Sequence, residues 1–432
     1  MSRNDPSPGP VRLMKAPAAV HPLPKGEGGI ATSARGACDT HDTKGWSAVP
    51  MKIKDIKTYL VGNPWKNWLF VQVETDEGIQ GIGEGTLGHL SRTVETAIHE
   101  LKGQILGLEV FRIEMLLRRL GRDIYADGGQ ILMCATSAIE IACWDIIGKA
   151  LGQPIYNLLG GLYHDKIRAY ANGWYRCPRT PEDFAQAAKR VVELGYTAMK
   201  FDPFGSEWRK PQPSELDLAI DVVNAVREAV GPSVDLAVEA HSRFSVETAI
   251  SVGKRLEAAT PAWYEDPVPH GNIHASIEVA RHIDVPVGTG ESLSSKQQFA
   301  ELLRADAINV ITVEPLHVGG ILATRKIADM VDAHYGVILP HSAQGPVCTL
   351  ANLQIDACTP NFYMQEYFDQ FNEPWEKDLL TWTPRLVDGY LEIPTTPGLG
   401  AELNLEEVKR HPYTESGRMF LFEPDWHLRQ PR

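Results

Sequence analysis

Glutamates recur at a fixed interval of 26 residues, at Glu239, Glu265 and Glu291, and each closes a short apolar run. The runs are Val234-Asp-Leu-Ala-Val-Glu239, Ala262-Trp-Tyr-Glu265 and Pro286-Val-Gly-Thr-Gly-Glu291. One strand, one helix and two loops fill such an interval. The pattern therefore predicts successive β/α units with an acid at each strand end. In a ring of parallel strands such acids converge at one mouth. Carboxylates brought together in a cleft repel unless a cation lies between them. Hard oxygen ligands suit a small divalent ion of the Mg²⁺ type. Any one of these acids alone reads equally well as a polar strand end opening a loop. The repeat is what points to a metal site, at Glu239, Glu265 and Glu291, and to an enzyme.

At 432 residues the chain has room for a large barrel with additions, and its 43% apolar content is ordinary for a globular protein. A net charge of −13 argues against a general nucleic-acid or anionic-membrane surface. It does not argue against an anionic small substrate, because a bound cation reverses the local field. No apolar run reaches the roughly 18 residues needed to cross a bilayer. The six cysteines (Cys38, Cys134, Cys143, Cys177, Cys348, Cys358) show no Cys-x-x-Cys spacing and read as reduced thiols of a cytosolic, cytoplasmic protein.

Residues 1–50 are rich in Pro, Gly, Ser and Ala, lack hydrophobic periodicity and contain no apolar core of a secretory signal. They read as a disordered leader, or as an extension from a start codon assigned too early. A strand pattern opens at Met51-Lys-Ile-Lys-Asp-Ile-Lys-Thr-Tyr-Leu-Val, and a second is Leu69-Phe-Val-Gln-Val-Glu-Thr before the turn Asp76-Glu77-Gly78. Helical patterns follow to about residue 160, the clearest over Ser137 to Leu151, with Gly152 placed to end it. Residues 51–160 are thus expected to form an α+β domain.

From about residue 165 strand and helix patterns alternate. Strand ends are expected at Arg168–Gly173, Thr197–Asp202, Glu239, Glu265, Glu291, Ile308–Glu314, Gly336–His341 and Asn361–Glu366. Eight such units predict an α/β fold, a (β/α)8 barrel of the TIM type over residues 161–390, with its active mouth at the C-terminal strand ends. The segment 391–432 contains Pro394-Thr-Thr-Pro-Gly-Leu-Gly400, which cannot be regular helix, and is expected to return to the first domain.

Further polar residues stand at the same mouth. His341 ends strand seven and Glu314 ends strand six. A carboxylate hydrogen-bonded to an imidazole fixes its tautomer and raises its basicity, which makes a general base. His241 lies two residues past Glu239, and on an extended strand residues i and i+2 share a face. It reaches the same cavity as a catalytic acid, as a fourth ligand, or as a residue behind the ligands. Lys200 and Asp202 end strand two, either as a solvated pair or with Lys200 on a substrate carboxylate. Glu366 ends strand eight, either donating to an oxyanion when protonated or forming a rim salt bridge. A metal, an acid on one face and a His–Glu base on the other suit one reaction: removal of a proton α to a carboxylate, followed by loss of a β-hydroxyl.

These residues, together with Ser137-Ala-Ile-Glu-Ile-Ala-Cys-Trp-Asp145, Leu158-Leu-Gly-Gly161 and Pro397-Gly-Leu-Gly400, make the chain resemble the enolase superfamily, in its mandelate racemase-like branch, over about residues 51 to 410. The resemblance implies an α+β capping domain over a modified barrel, a Mg²⁺ cofactor, a small-molecule sugar-acid substrate and a homo-oligomer. Glu239-Ala-His241 is similar to the strand-three ending of sugar-acid dehydratases, which implies that His241 protonates the leaving hydroxyl. The His–acid dyad of the family carries to His341 and Glu314, and its strand-eight glutamate to Glu366. Asp is usual in the branch at the positions of Glu239 and Glu314. Racemases of the branch end strand two in Lys-x-Lys, where this chain has Lys200-Phe-Asp202. One-face abstraction by His341 therefore favours dehydration of an aldonate to a 2-keto-3-deoxy acid. A cycloisomerase, epimerase or racemase working through the same enediolate is the nearest alternative, and a non-catalytic metal-binding barrel the more distant one. Specificity is expected from Trp65 to Trp68, His89 to Arg92 and Tyr125 to Gly129.

Overall fold

The alternating pattern after Met51 becomes a three-stranded antiparallel sheet of β1 (Ile53–Gly62), β2 (Asn67–Thr75) and β3 (Gln80–Glu84), in that order. The structure is a computed structural model that describes residues 50–125, 128–417 and 420–429. The leader read from the sequence lies outside the described residues apart from Pro50. Helices α1 (Ser91–Ile105), α2 (Ile113–Leu120), α3 (Gly129–Leu151) and α4 (Ile155–Leu158) follow the sheet. Gly152 ends α3 at φ 65°, a conformation glycine adopts without steric cost. The helix begins eight residues before the stretch whose periodicity announced it, because its first two turns are only partly buried and carry less pattern. By length and composition α3 is apolar enough to cross a membrane, but 83% of its most apolar window is buried in this protein. It is the core helix. Strand β3 packs directly on it: a Cβ at Gly83 would stand 1.9 Å from the Ala138 carbonyl oxygen, and one at Gly81 2.1 Å from that of Ala142.

Strand and helix then alternate: β4 (Ile167–Ala171), α5 (Pro181–Glu193), β5 (Ala198–Phe201), α6 (Pro213–Val230), β6 (Asp235–Glu239), α7 (Val246–Leu256), β7 (Trp263–Glu265) and α8 (Ile273–Ala280). The series continues with β8 (Val287–Thr289), α9 (Lys296–Leu303), β9 (Val310–Ile311), α10 (Pro315–Val318), α11 (Ile321–Asp332), β10 (Val337–Ile338), α12 (Pro346–Ala357) and β11 (Gln365–Tyr367). Strands β4 to β10 pair in parallel in chain order, and β11 returns to β4. A parallel bridge between Ile338 and Phe362 joins the last gap, with Ile338 N donating to Asn361 O and Tyr363 N to Ile338 O, both at 3.0 Å. This is the expected modified (β/α)8 barrel beneath an α+β layer. Its interior is filled by Tyr170, Ala198, Ala237, Trp263, Val310, Leu339 and Met364, one from nearly every strand.

No periodicity announces the hairpin β12 (Leu386–Val387) and β13 (Tyr390–Leu391), whose second strand pairs antiparallel to β4. Two-residue strands are too short for an alternation to register. After α13 (Leu405–Arg410) the chain runs back to the first sheet, where Gly62 N donates to His411 O and Asn67 Nδ2 to Thr414 O and Gly417 O.

Buried acids lock the layer to the barrel. Helices α11 and α12 begin after Gly320 and Gly345 and have no N-cap side chain of their own. Glu140 of α3 accepts from Ile321 N at 2.8 Å and Leu322 N at 2.9 Å, and Glu84 of β3 accepts from Gly345 N at 2.6 Å and Cys348 N at 2.9 Å. Each carboxylate thus meets orphan amides and the positive end of a helix dipole from across the interface. Glycine is needed at both caps: a Cβ at Gly320 would lie 2.0 Å from Glu140 Oε2, and one at Gly345 2.7 Å from Glu84 Oε1. Burial pushes both carboxyls up to about 7 against these hydrogen bonds. Asp145 works similarly at the C-terminal segment, accepting from Leu399 N at 2.8 Å and Ile82 N at 2.9 Å.

Removing the Glu140 cap strands two buried amides, so Glu140→Ala is expected to cost about 2–4 kcal/mol. Urea unfolding measures it, and an unmoved midpoint would show that the cap contributes nothing.

Candidate active site

The ends of β6 and β7 are in register, so Glu239 lies beside Glu265. Glu291 stands two residues past β8, after Gly290 at φ 143°, rather than on a strand end. One carboxylate oxygen of each of the three lies within 4.8 Å of the other two. Side contacts aim them: His241 N donates to Glu239 Oε1 at 2.7 Å, and Trp263 Nε1 to Glu265 Oε2 at 2.6 Å. Glu239 Oε2 is buried without a hydrogen bond. Its nearest cation is Lys200 Nζ at 3.3 Å, a Coulombic contact without hydrogen-bond geometry.

Lys200, from β5, is buried beside acids, with Glu265 Oε1 at 2.7 Å and Glu366 Oε1 at 3.0 Å. Burial pulls its ammonium down, but Glu265, Glu366 and Glu239 outweigh that and hold it well above the usual lysine range. Burial, despite Lys200, raises the Glu265 carboxyl well above its ordinary value, and Glu239 and Glu291 add to the effect. Carboxylates from several strand ends crowd one ammonium here, and their mutual repulsion is what a cation would relieve. The solvated-pair reading of Lys200 and Asp202 fails, since both are buried.

His341 follows β10, and its Nδ1 lies 2.8 Å from Glu314 Oε2. A carboxylate only accepts, so Nδ1 carries the proton and Nε2 faces the mouth, 3.2 Å from Glu291 Oε2 and 3.7 Å from Glu366 Oε2. Glu314 is fixed in turn by Leu316 N, which donates to Oε1 at 3.0 Å. Burial alone would depress the imidazole; Glu291, Glu366 and Glu314 hold it up to about 10.

His241 reaches the cavity by a different route from the shared strand face. Strand β6 stops at Glu239, and His241 and Ser242 take left-handed φ values of 45° and 56°. The imidazole is held by Asp202, with Nδ1 2.7 Å from Oδ2, and Arg243 Nη1 donates to both Asp202 oxygens at 3.0 Å. Burial lowers the His241 imidazole, but Glu239 and Asp202 more than reverse this and leave it raised. Trp426 packs edge-on against the ring at 5.3 Å. Sequence reasoning missed Asp202 as the partner of His241; its position two residues after Lys200 on the neighbouring strand was the available signal.

Both readings of Glu366 need correction. It is fully buried, so it is no rim salt bridge. Burial would raise it, but Lys200 and His341 together with Ser342 N and Asn172 Nδ2 hold it at about 2. It is therefore an ionised acceptor and not a donor. Asn172, at the end of β4, donates to Glu366 Oε1 at 2.7 Å and was also not anticipated. Each histidine thus has Nδ1 tied to an acid and feels the charge of the triad, His341 through Glu291 and His241 through Glu239 and Glu291.

Comparison with known proteins agrees with this architecture. Residues 183–408 match the family described as Enolase C-terminal domain-like, and residues 48–160 match the mandelate racemase / muconate lactonizing enzyme N-terminal domain. A D-gluconate/D-galactonate dehydratase of Picrophilus torridus is 33% identical over 383 residues, covering 87% of this chain and 97% of that protein. A D-xylonate dehydratase of Haloferax volcanii is 34% identical over 371 residues, covering 83% and 89%. A solved mandelate racemase/muconate lactonizing enzyme from Sulfitobacter sp. superposes with a TM-score of 0.81 at 32% identity, covering 87% of this chain and 98% of that one.

Lys200→Met leaves buried carboxylates without their counter-charge and is expected to cost about 3–5 kcal/mol in EDTA. The loss should shrink when a divalent cation is added. Equal urea midpoints for wild type and variant in EDTA would contradict this account of the cluster.

Proposed function

The chain belongs to the mandelate racemase / muconate lactonizing enzyme family, and we propose that it is a Mg²⁺-dependent hydro-lyase that dehydrates a five- or six-carbon aldonate. The observation that carries this reading is the pair of carboxylate-held histidines beside one acidic triad. The names of the relatives, gluconate, galactonate and xylonate dehydratases, supply the substrate class.

Glu239, Glu265 and Glu291 would hold the Mg²⁺: their oxygens converge, and Glu239 Oε2 lacks a hydrogen bond. When bound, the ion supplies positive charge against the enediolate. Lys200 offers its ammonium to a carboxylate oxygen of the substrate, steadied by Glu366. His341 Nε2 takes the α-proton, and the C–H electron pair moves into the carboxylate to give the enediolate. Glu314 keeps the proton on Nδ1, and a cation held by Glu239, Glu265 and Glu291 would offset the acids that hold the imidazole up, leaving Nε2 free to accept. The enediolate then collapses, the bond from the β-carbon to its hydroxyl breaks, and His241 gives that oxygen a proton so that water leaves. Ketonisation of the resulting enol yields the 2-keto-3-deoxy acid.

Strand two ends in Lys200-Phe-Asp202, without the second lysine that racemases of the family carry there, which favours dehydration over racemisation. Asp202 stands where a second base would be needed, and both its oxygens are engaged by Arg243 and His241.

Turnover of an aldonate library, read as 2-keto acid by semicarbazide, tests the reaction; EDTA should abolish it and Mg²⁺ restore it. His341→Asn is expected to lose both dehydration and exchange of the α-proton with deuterated solvent. His241→Asn should lose dehydration while exchange persists, because the enediolate still forms and returns. Wild-type exchange in His341→Asn would place the base elsewhere, with Lys200 the first residue to examine.

A further inference from the structure

The last described stretch, residues 420–429, crosses the barrel mouth beside the site. Arg243 Nη2 donates to Leu421 O at 3.4 Å, His427 Nε2 lies 2.9 Å from Cys177 O, and Trp426 meets His241. At the end of this stretch the Arg429 guanidinium lies 4.3 Å from the Trp65 ring centre and 4.8 Å from that of Phe368. Lys66 Nζ lies 4.2 Å from the same Trp65 ring. The two cations come from opposite ends of the described chain and meet at one indole.

Both are buried, Lys66 to 2% exposure and Arg429 to 8%, and among the described residues neither has a carboxylate within ion-pair distance. Buried charges are ordinarily paired. Their donors are under-used as well. A guanidinium carries five N–H groups, yet among the described residues that of Arg429 makes one hydrogen bond, to Asn372 Oδ1 at 3.4 Å. Lys66 donates to Ala343 O and, at 3.4 Å, to Gln344 Oε1. Burial first, and then the mutual repulsion with Arg429, draws the Lys66 ammonium down to about 8. Burial takes Arg429 down to about 10.

Their position is the second observation. Lys66 rests on the loop just past His341. Arg429 rests on Phe368, just past Glu366, and on Gly173, where a Cβ would come 2.3 Å from Nη2. The pair therefore lies by the ends of β10, β11 and β4, across the strand order from the triad at the ends of β6 and β7 and past β8.

We propose that Lys66 and Arg429 form a subsite for the far hydroxyl groups of the sugar acid, which makes the C-terminal segment part of the active site. This rests on the sugar-acid reading above. Hydroxyl oxygens accept the spare N–H donors, and an acid too short to reach leaves them unpaired, the situation in which polar sites discriminate most strongly.

Binding and turnover of four-, five- and six-carbon aldonates of matched C2–C3 configuration, in Mg²⁺, test the subsite separately from the chemistry. Calorimetry is expected to show the six-carbon acid binding wild type about tenfold or more tightly than the four-carbon acid. Arg429→Gln should erase most of that gap through KM, with kcat for the six-carbon acid changed far less. Arg429→Lys, which keeps a cation but loses the fork, should restore part of it, and Lys66→Met should erase it independently. Melting temperatures of the variants separate a folding defect from a binding one. An unchanged gap in both Arg429→Gln and Lys66→Met would overturn the subsite, as would equal binding of all lengths by wild type. Tight, length-dependent binding without 2-keto acid would overturn the dehydratase reading and leave the subsite standing.

Discussion

Repulsion among buried carboxylates is the constraint around which the rest of this structure is arranged. Glu239, Glu265, Glu291 and Glu366 converge in one cavity, and Lys200 alone is threaded among them. A barrel tolerates such a cluster because its strands are held by parallel pairing and by an apolar interior below, so the cost of the charges falls on the mouth. That cost also gives the site its use. Carboxylates that repel one another are relieved by a cation, and the histidines around them are biased by the same field. The proposed base and the proposed acid differ mainly in which carboxylate holds Nδ1: Glu314 for His341, Asp202 for His241.

The layer above the barrel is joined to it by the same kind of chemistry used in the opposite sense. Glu84 and Glu140 are also buried acids, but each finds amides at a helix N-terminus instead of other acids. Because the helices they cap start next to loops of the site, these contacts fix the height of the roof over the mouth. Glu84 bonds Gly345 and Cys348, only a few residues past His341, and Cys348 Sγ in turn lies 3.3 Å from Glu314 Oε1. The layer and the proposed base are therefore mechanically close.

The C-terminal segment completes the enclosure. Trp426 stiffens one histidine from the side, and Arg429 brings a cation to the indole that Lys66 also approaches. Desolvated cations over an aromatic ring are favourable, but the ring leaves their spare N–H donors without acceptors. The segment reads as the part of the wall that meets the substrate rather than as a fastening for the fold.

Much of this was legible in the chain. The 26-residue interval fixed the β/α repeat and singled out three acids, because a barrel unit has a near-constant length and presents its strand ends at one face. The pairing of His341 with Glu314 followed from adjacency of strands six and seven. What the sequence could not supply was the identity of contacts between distant segments. Periodicity is a local property, while a hydrogen bond between Asp202 and His241, or a glycine at Gly320 that makes room for Glu140, depends on how elements pack. The i, i+2 rule placed His241 rightly near the cavity for the wrong reason, since the backbone turns left-handed there. Glu366 was misread because ionisation depends on neighbours that only the folded state gathers. Residue types and spacing determined which chemistry was available; the tertiary structure decided which charges face each other, since electrostatic energy depends on distance and burial and not on order along the chain.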